Sequence, residues 1–156
     1  MVITPGGRAA YVVVVEAFLY RDEKWLLIRR SLTEAHGAGA LSGIGGKVEY
    51  AGADLPGVLE DALRREVLEE VGVDLTGVRF HYVGSSFFTS DDGDPMISAE
   101  FTASLPADAE PYPAAPDEVD AVFWLTLDEA LANPDCPPWI RRSLRDSAAV
   151  VAAADA

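Results

Sequence analysis

Between Gly45 and Val73 a glycine pair leads into a segment whose acidic and apolar residues crowd onto one side. From Gly57 to Val71 the pattern has helical period: Leu59, Leu63, Val67 and Val71 form one stripe, flanked by Ala62. Gly72 follows where a helix needs a residue tolerant of the left-handed conformation. Glu66, Glu69 and Glu70 stand three and four apart, so they occupy one narrow arc, and that arc overlaps the apolar stripe. A solvated acidic face normally lies away from the core. Three like charges also repel, and the carboxyl end of a helix disfavours anions. A divalent cation relieves the conflict, because hard ions such as Mg²⁺ bind carboxylate oxygens and keep waters that phosphate oxygens can replace. A surface helix with an acidic end is the plain alternative, and for a bare Glu-x-x-Glu-Glu it is the commoner one. Arg65 just before Glu66, Gly72 just after the helix, and Gly45-Gly46-Lys47 upstream narrow the choice.

Those residues carry a resemblance. Arg65-Glu66-Val67-Leu68-Glu69-Glu70-Val71-Gly72-Val73 resembles the second half of the Nudix box, and Gly45-Gly46-Lys47-Val48-Glu49 resembles its first half. The strand pattern on both sides extends the likeness over nearly the whole chain. There is one departure. Gly57 stands where the box usually has a glutamate, and the bridge from 51 to 57 is longer than usual, with Asp54 and Glu60 as candidate stand-ins. The resemblance implies a single Nudix domain over 1–156, an α/β/α sandwich around a mixed sheet. It also implies Mg²⁺-dependent hydrolysis of a diphosphate link in a nucleoside triphosphate or other nucleoside diphosphate derivative, with Mn²⁺ as substitute.

Composition sets limits. The chain has 156 residues, 49% of them apolar, enough for one domain with a sizeable core. A net charge of −14 argues against nucleic-acid backbones and anionic membranes as partners. It does not argue against nucleotides where metal ions neutralise the site. The lone Cys136 allows no internal disulfide and reads as a small loop residue. No basic leader or long apolar span is visible, so a cytoplasmic protein is expected. Exposed strand edges in such sheets often pair, which makes a homodimer an expectation.

Along the chain, Tyr11 to Tyr20 and Lys24 to Arg30 read as an antiparallel hairpin about Arg21-Asp22-Glu23. Alternation puts Trp25, Leu27 and Arg29 on one face and Leu26, Ile28 and Arg30 on the other. Ser31 to Ser42 is a Gly/Ala-rich loop. A second hairpin, Val78 to Thr89 and Met96 to Leu105, turns at Ser90 to Pro95. A Pro-rich loop from Pro106 to Glu118 precedes a strand at Ala121 to Leu127. A short helix capped by Asp128 follows, then a loop over Asn133 to Pro138 and a last helix from Trp139 to about Val151, with a fraying tail.

By resemblance, Glu69 and Glu70 are metal ligands and Glu66 is a third ligand or the base. A backbone carbonyl at Gly45 or Gly46 completes the coordination. Arg65 orients a glutamate by ion pairing. Glu118 is the loop acid expected as ligand or base. Lys47 and Arg30 are expected on the substrate phosphates, against a plain reading as solvated charge at strand ends. The approach from Ala35 to Val48 resembles enzymes that sanitise oxidised purine nucleoside triphosphates, which implies base contacts from Ser42 and Asp135. Phe87, Phe88, Tyr112 or Trp139 are candidates for stacking on a base, although strand aromatics are more often core. The altered first half of the box motivates one rival, a Nudix fold that binds a nucleotide or nucleotide sugar without turnover; a second is a purely structural acidic domain whose glutamates bind nothing.

Overall fold

The computed structural model describes residues 2–50 and 52–156, with only the backbone of Val2. Met1 and Ala51, the first residue of the expected bridge, lie outside the described residues. A two-residue pair, β1 (Val2–Ile3) with β2 (Ala9–Ala10), precedes the sheet. β3 (Val12–Arg21) and β4 (Lys24–Arg30) form the expected hairpin. Asp22 and Glu23 both take positive φ, 51° and 61°, as the tightest hairpin turn requires. β3 is the axis of the sheet. On one side it runs parallel to β8 (Pro95–Ser104) along Val12 to Tyr20. On the other side its first half pairs with β6 (Ile44–Lys47) and its end with β4. From Trp25 onward β4 also pairs with β9 (Val119–Leu125), and beyond Leu26 it leaves β3 and pairs with β5 (Leu41–Ser42). β7 (His81–Thr89) closes the far edge against β8.

Alternation assigns the two faces. Val15, Ala17, Leu19, Leu26, Ile28 and Ile44 face α1 (Val58–Val71) and pack on Leu63, Val67 and Val71. Phe18, Trp25, Leu27 and Leu41 face the opposite layer and pack on Ile140 and Leu144 of α3 (Pro138–Ala154). A core on each face makes the α/β/α sandwich, and Arg29 and Arg30 diverge as the alternation of β4 requires.

Several boundaries differ from the sequence reading. β7 begins at His81, not Val78, because Leu75 to Val78 is a turn closed by the Val78 N–H on the Leu75 carbonyl. The strand expected over Ala121 to Leu127 is β9, two residues earlier at each end. The cap of α2 (Leu127–Ala132) is Thr126, not Asp128: its hydroxyl accepts from the Glu129 N–H, and the Glu129 carboxylate accepts from the Thr126 N–H. α3 continues to Ala154, so the alanine-rich tail propagates the helix instead of fraying at Val151. Cys136 is buried against Ala130 and Ile140 and serves as core. Phe87 and Phe88 are exposed, not core, because β7 is an edge strand. No helix of the described residues is long and apolar enough to cross a membrane.

Candidate active site

The helix carrying the three glutamates starts at an unusual place. Gly57 is its N-cap and holds φ +75°, so the position where the box normally has a glutamate is left-handed here and suits glycine. At the other end Gly72 has φ +69° and its N–H closes on the Leu68 carbonyl. Between these ends the Leu63, Val67, Val71 stripe fixes the rotation of α1 against the sheet. That rotation buries Glu66 and Glu70, which are 8% and 5% exposed, and leaves the Glu69 side chain 55% exposed.

Burial has electrostatic consequences. Loss of water pushes the Glu70 carboxyl up to about 9, with Glu66 and then Glu118 adding like-charge repulsion and Arg30 offsetting part of it. Glu66 is raised as well, mainly by burial, despite the Arg65 guanidinium beside it. Glu118 is exposed in its loop yet lies within hydrogen-bond reach of Glu70 and repels Glu66. The structure therefore gathers Glu66, Glu70 and Glu118, while Glu69 sits on the rim.

Arg65 joins the helix to β6. Its Nη1 lies 3.0 Å from Glu66 Oε1 and 3.6 Å from Glu69 Oε2, and its Nη2 donates to the Lys47 carbonyl at 3.1 Å. The Arg65 guanidinium thus bridges Glu66, Glu69 and the β6 backbone. The glycine pair has two separate reasons. A side chain at Gly45 would overlap the Val15 carbonyl across the strand pair. A Cβ at Gly46 would stand 2.5 Å from Glu66 Cδ.

These residues fit a hard divalent cation. Glu70 Oε2 is buried with no hydrogen-bond partner, which is costly unless another group supplies charge there. The Glu66 carboxylate lies directly against the backbone of Gly46, and the donors are all oxygens. Among the described residues no three His, Cys, Asp or Glu side chains form a closed ligand set. Waters and substrate oxygens would have to complete the coordination, as Mg²⁺ prefers.

The expected substrate residues are more dispersed. Arg30 is on the α1 face, its Nε donating to the His36 carbonyl at 2.8 Å and its Nη2 3.4 Å from Glu34. Lys47 alternates with Gly46 and so is exposed on the opposite face of β6 from Glu66. Ser42 is buried, and its hydroxyl donates to the Gly43 carbonyl at 2.8 Å. Asp135 pairs with Arg29 at 3.4 Å and its carbonyl accepts the Leu41 N–H. Asp54 is exposed, and Glu60 lies in the first turn of α1, where a negative charge favours the helix start.

Two carboxylates escaped the sequence reading. Glu16 and Glu100 are register partners on β3 and β8, on the face away from α1. Glu16 accepts the Gly43 N–H at 2.9 Å and is raised to about 7, chiefly by burial and next by Glu100. Glu100 is buried and raised too, with Ser143 and Arg142 opposing the shift. Their signal was available: each is a lone acid inside an apolar strand, Val-Val-Glu-Ala-Phe and Ser-Ala-Glu-Phe. The His36–Asp91 pair at 2.6 Å, joining the 31–40 loop to the β7–β8 turn, had no such signal.

A mixed sheet lies between helices, and a glycine strand is set against buried helix carboxylates. The NUDIX domain model matches residues 10–146, and the chain belongs to that family. Its reaction class is hydrolysis of phosphoric anhydride bonds. Among solved structures, the chain is similar to a MutT NUDIX hydrolase from Burkholderia pseudomallei, with 25% identity, 88% and 98% of the two chains covered and a TM-score of 0.72. The E. coli ORF135 protein shares 27% identity over 92% of both chains, with a TM-score of 0.64. A C. elegans Ap4A hydrolase shares the fold at 20% identity, covering 91% and 98%, with a TM-score of 0.72. No curated protein sequence matches the chain.

Proposed function

We propose that the protein is a Mg²⁺-dependent pyrophosphohydrolase acting on a nucleoside triphosphate or another nucleoside diphosphate derivative. The observation that carries this reading is the partnerless Glu70 Oε2, buried beside Glu66 and Glu118, with the Glu66 carboxylate lying against Gly46. Glu66, Glu69, Glu70 and the Gly46 carbonyl are the groups that would hold the ion. A divalent ion there would polarise phosphoryl oxygens and lower the pKa of an attacking water. Glu118, exposed in its loop and near Glu66, is the candidate to take the water's proton, with Glu66 as the alternative base. Arg65 holds the Glu66 carboxylate and the β6 carbonyl in register. Arg30, on the α1 face and near enough to Glu70 to oppose its shift, would supply positive charge toward the phosphates, whereas Lys47 projects from the opposite face of β6 and is not assigned to them. Ser42 of β5, and Asp135, whose carbonyl accepts the Leu41 N–H, are the proposed base contacts.

The structural relatives span a MutT hydrolase and an Ap4A hydrolase, which supports a nucleotide substrate. Nucleotide-pool sanitising is the finer form of the proposal, so the test panel contains oxidised as well as ordinary purine nucleoside triphosphates. Phosphate or pyrophosphate release with Mg²⁺ is measured for wild type, Glu69→Gln and Glu70→Gln. The reading requires turnover of at least one nucleotide by wild type and its loss in Glu70→Gln. A wild type that turns over nothing on the panel, yet melts at a higher temperature with a nucleotide added, would mark a binding module instead.

A further inference from the structure

The loop that delivers Glu118 has no regular structure of its own, yet it is stitched to the helix that carries Glu66 and Glu70. Residues 106 to 118 leave β8 and return to β9. At the start of the loop the Arg21 guanidinium donates to the carbonyls of Pro106 and Ala109, both at 2.8 Å. At its end the Glu118 carbonyl accepts the Ser31 N–H at 2.9 Å. In the middle it touches α1. The Tyr112 N–H donates to the Val71 carbonyl at 3.1 Å, and the Ala114 N–H donates to the Glu70 carbonyl at 3.0 Å. These are two of the carbonyls that a helix leaves unpaired at its carboxyl end. One of them belongs to Glu70 itself.

The Tyr112 ring completes the seam. A Cβ at Gly72 would stand 2.8 Å from its Cζ and 3.0 Å from its hydroxyl oxygen, so the ring lies directly on the glycine backbone. Gly72 thus meets two demands: a left-handed cap and a bare surface for an aromatic ring. Tyr112 is 56% exposed, so the core does not require an aromatic there. What the contact does fix is the position of the chain three residues before Ala115, whose carbonyl accepts the N–H groups of both Glu118 and Val119.

We propose that Tyr112 is a positioning residue for the hydrolytic reaction: its ring, seated on Gly72, holds the 106–118 loop on the end of α1 and so sets Glu118 against Glu66 and Glu70. The inference rests on the proposed role of Glu118 in proton transfer or ion binding. Misplacing a catalytic group by about 1 Å can lower a rate by about a hundredfold.

The test is a double-mutant cycle on kcat, with Mg²⁺ and a nucleotide that wild type hydrolyses, over a range of pH. Tyr112→Ala is expected to lower kcat about tenfold or more without changing the melting temperature. Tyr112→Phe, which keeps the ring, is expected to retain kcat within about twofold. In a Glu118→Gln background Tyr112→Ala is expected to cost nothing further, because both changes remove the same placed carboxylate. The pH profile of Tyr112→Ala is expected to resemble that of Glu118→Gln. A wild-type kcat in Tyr112→Ala overturns the inference, as does a loss that multiplies fully with that of Glu118→Gln. If Glu118→Gln alone turns over at the wild-type rate, the role given to Glu118 is wrong and the positioning role falls with it.

Discussion

Replacing Glu70 by glutamine should stabilise the metal-free protein while abolishing its response to Mg²⁺. Glu70 is 5% exposed, has a partnerless oxygen and faces two other carboxylates. Its carboxyl is raised from 4.5 to about 9, first by burial. A carboxyl with a raised folded value holds its proton more tightly in the folded state. Its contribution to stability is therefore fully present below 4.5 and is lost progressively as pH climbs toward 9. At about pH 7.5, some three units above the ordinary value, the loss is about 4 kcal/mol at about 1.4 kcal/mol per unit. Glutamine cannot ionise and removes that loss. For a domain of this size about 4 kcal/mol corresponds to a rise in Tm of at least roughly 8 °C. The assay is calorimetric or fluorimetric melting in chelator from about pH 5 to 9, repeated with millimolar Mg²⁺. Without metal the variant should gain on wild type as pH rises, and with Mg²⁺ wild type alone should move upward. A variant less stable than wild type at every pH without metal would refute the reasoning, since Glu70 would then be held by something other than an absent cation.

Three further outcomes follow from other parts of the fold. Gly46→Ala places a methyl 2.5 Å from Glu66 Cδ, so the carboxylate must swing off Arg65; kcat should fall by about tenfold or more, with folding retained by circular dichroism. Glu16→Gln keeps an acceptor for the Gly43 N–H but removes a carboxyl raised to about 7, so urea unfolding should show it stabilised above pH 7 and unchanged near pH 4.5. The upper bound of that gain is about 3 kcal/mol. Thr126→Ala removes the hydroxyl half of the capping box and should cost about 1 kcal/mol in the same experiment, with no effect on turnover.

What was legible in the sequence depended on whether the signal was local. The β3–β4 hairpin, the alternation along β4 and the course of α1 follow from periods of two and of three to four, and they stand as read. The overlap of acids with the apolar stripe likewise anticipated that Glu66 and Glu70 would be buried, though not that Glu69 would turn to the rim. Gly57 looked like a missing acid, and its positive φ shows a backbone demand that composition does not display. Thr126 and Asp128 are both capping types two residues apart, and only hydrogen-bond geometry separates them. The convergence of Glu118 on Glu70 depends on backbone hydrogen bonds from a proline-rich loop to the end of α1, which no periodicity encodes. Glu16 and Glu100 become neighbours only because β3 and β8 run parallel in register, a pairing between distant segments.

The most direct measurement is titration calorimetry of Mg²⁺ into the metal-free protein at about pH 7.5, in two buffers of different ionisation enthalpy. A carboxyl raised to about 9 must surrender its proton for the ion, so about one proton should be released per Mg²⁺ bound, and Glu70→Gln should abolish both binding and release. Mg²⁺ binding with no proton release, equally strong in Glu70→Gln, would contradict the assignment of the ion to the site built on the buried Glu66 and Glu70.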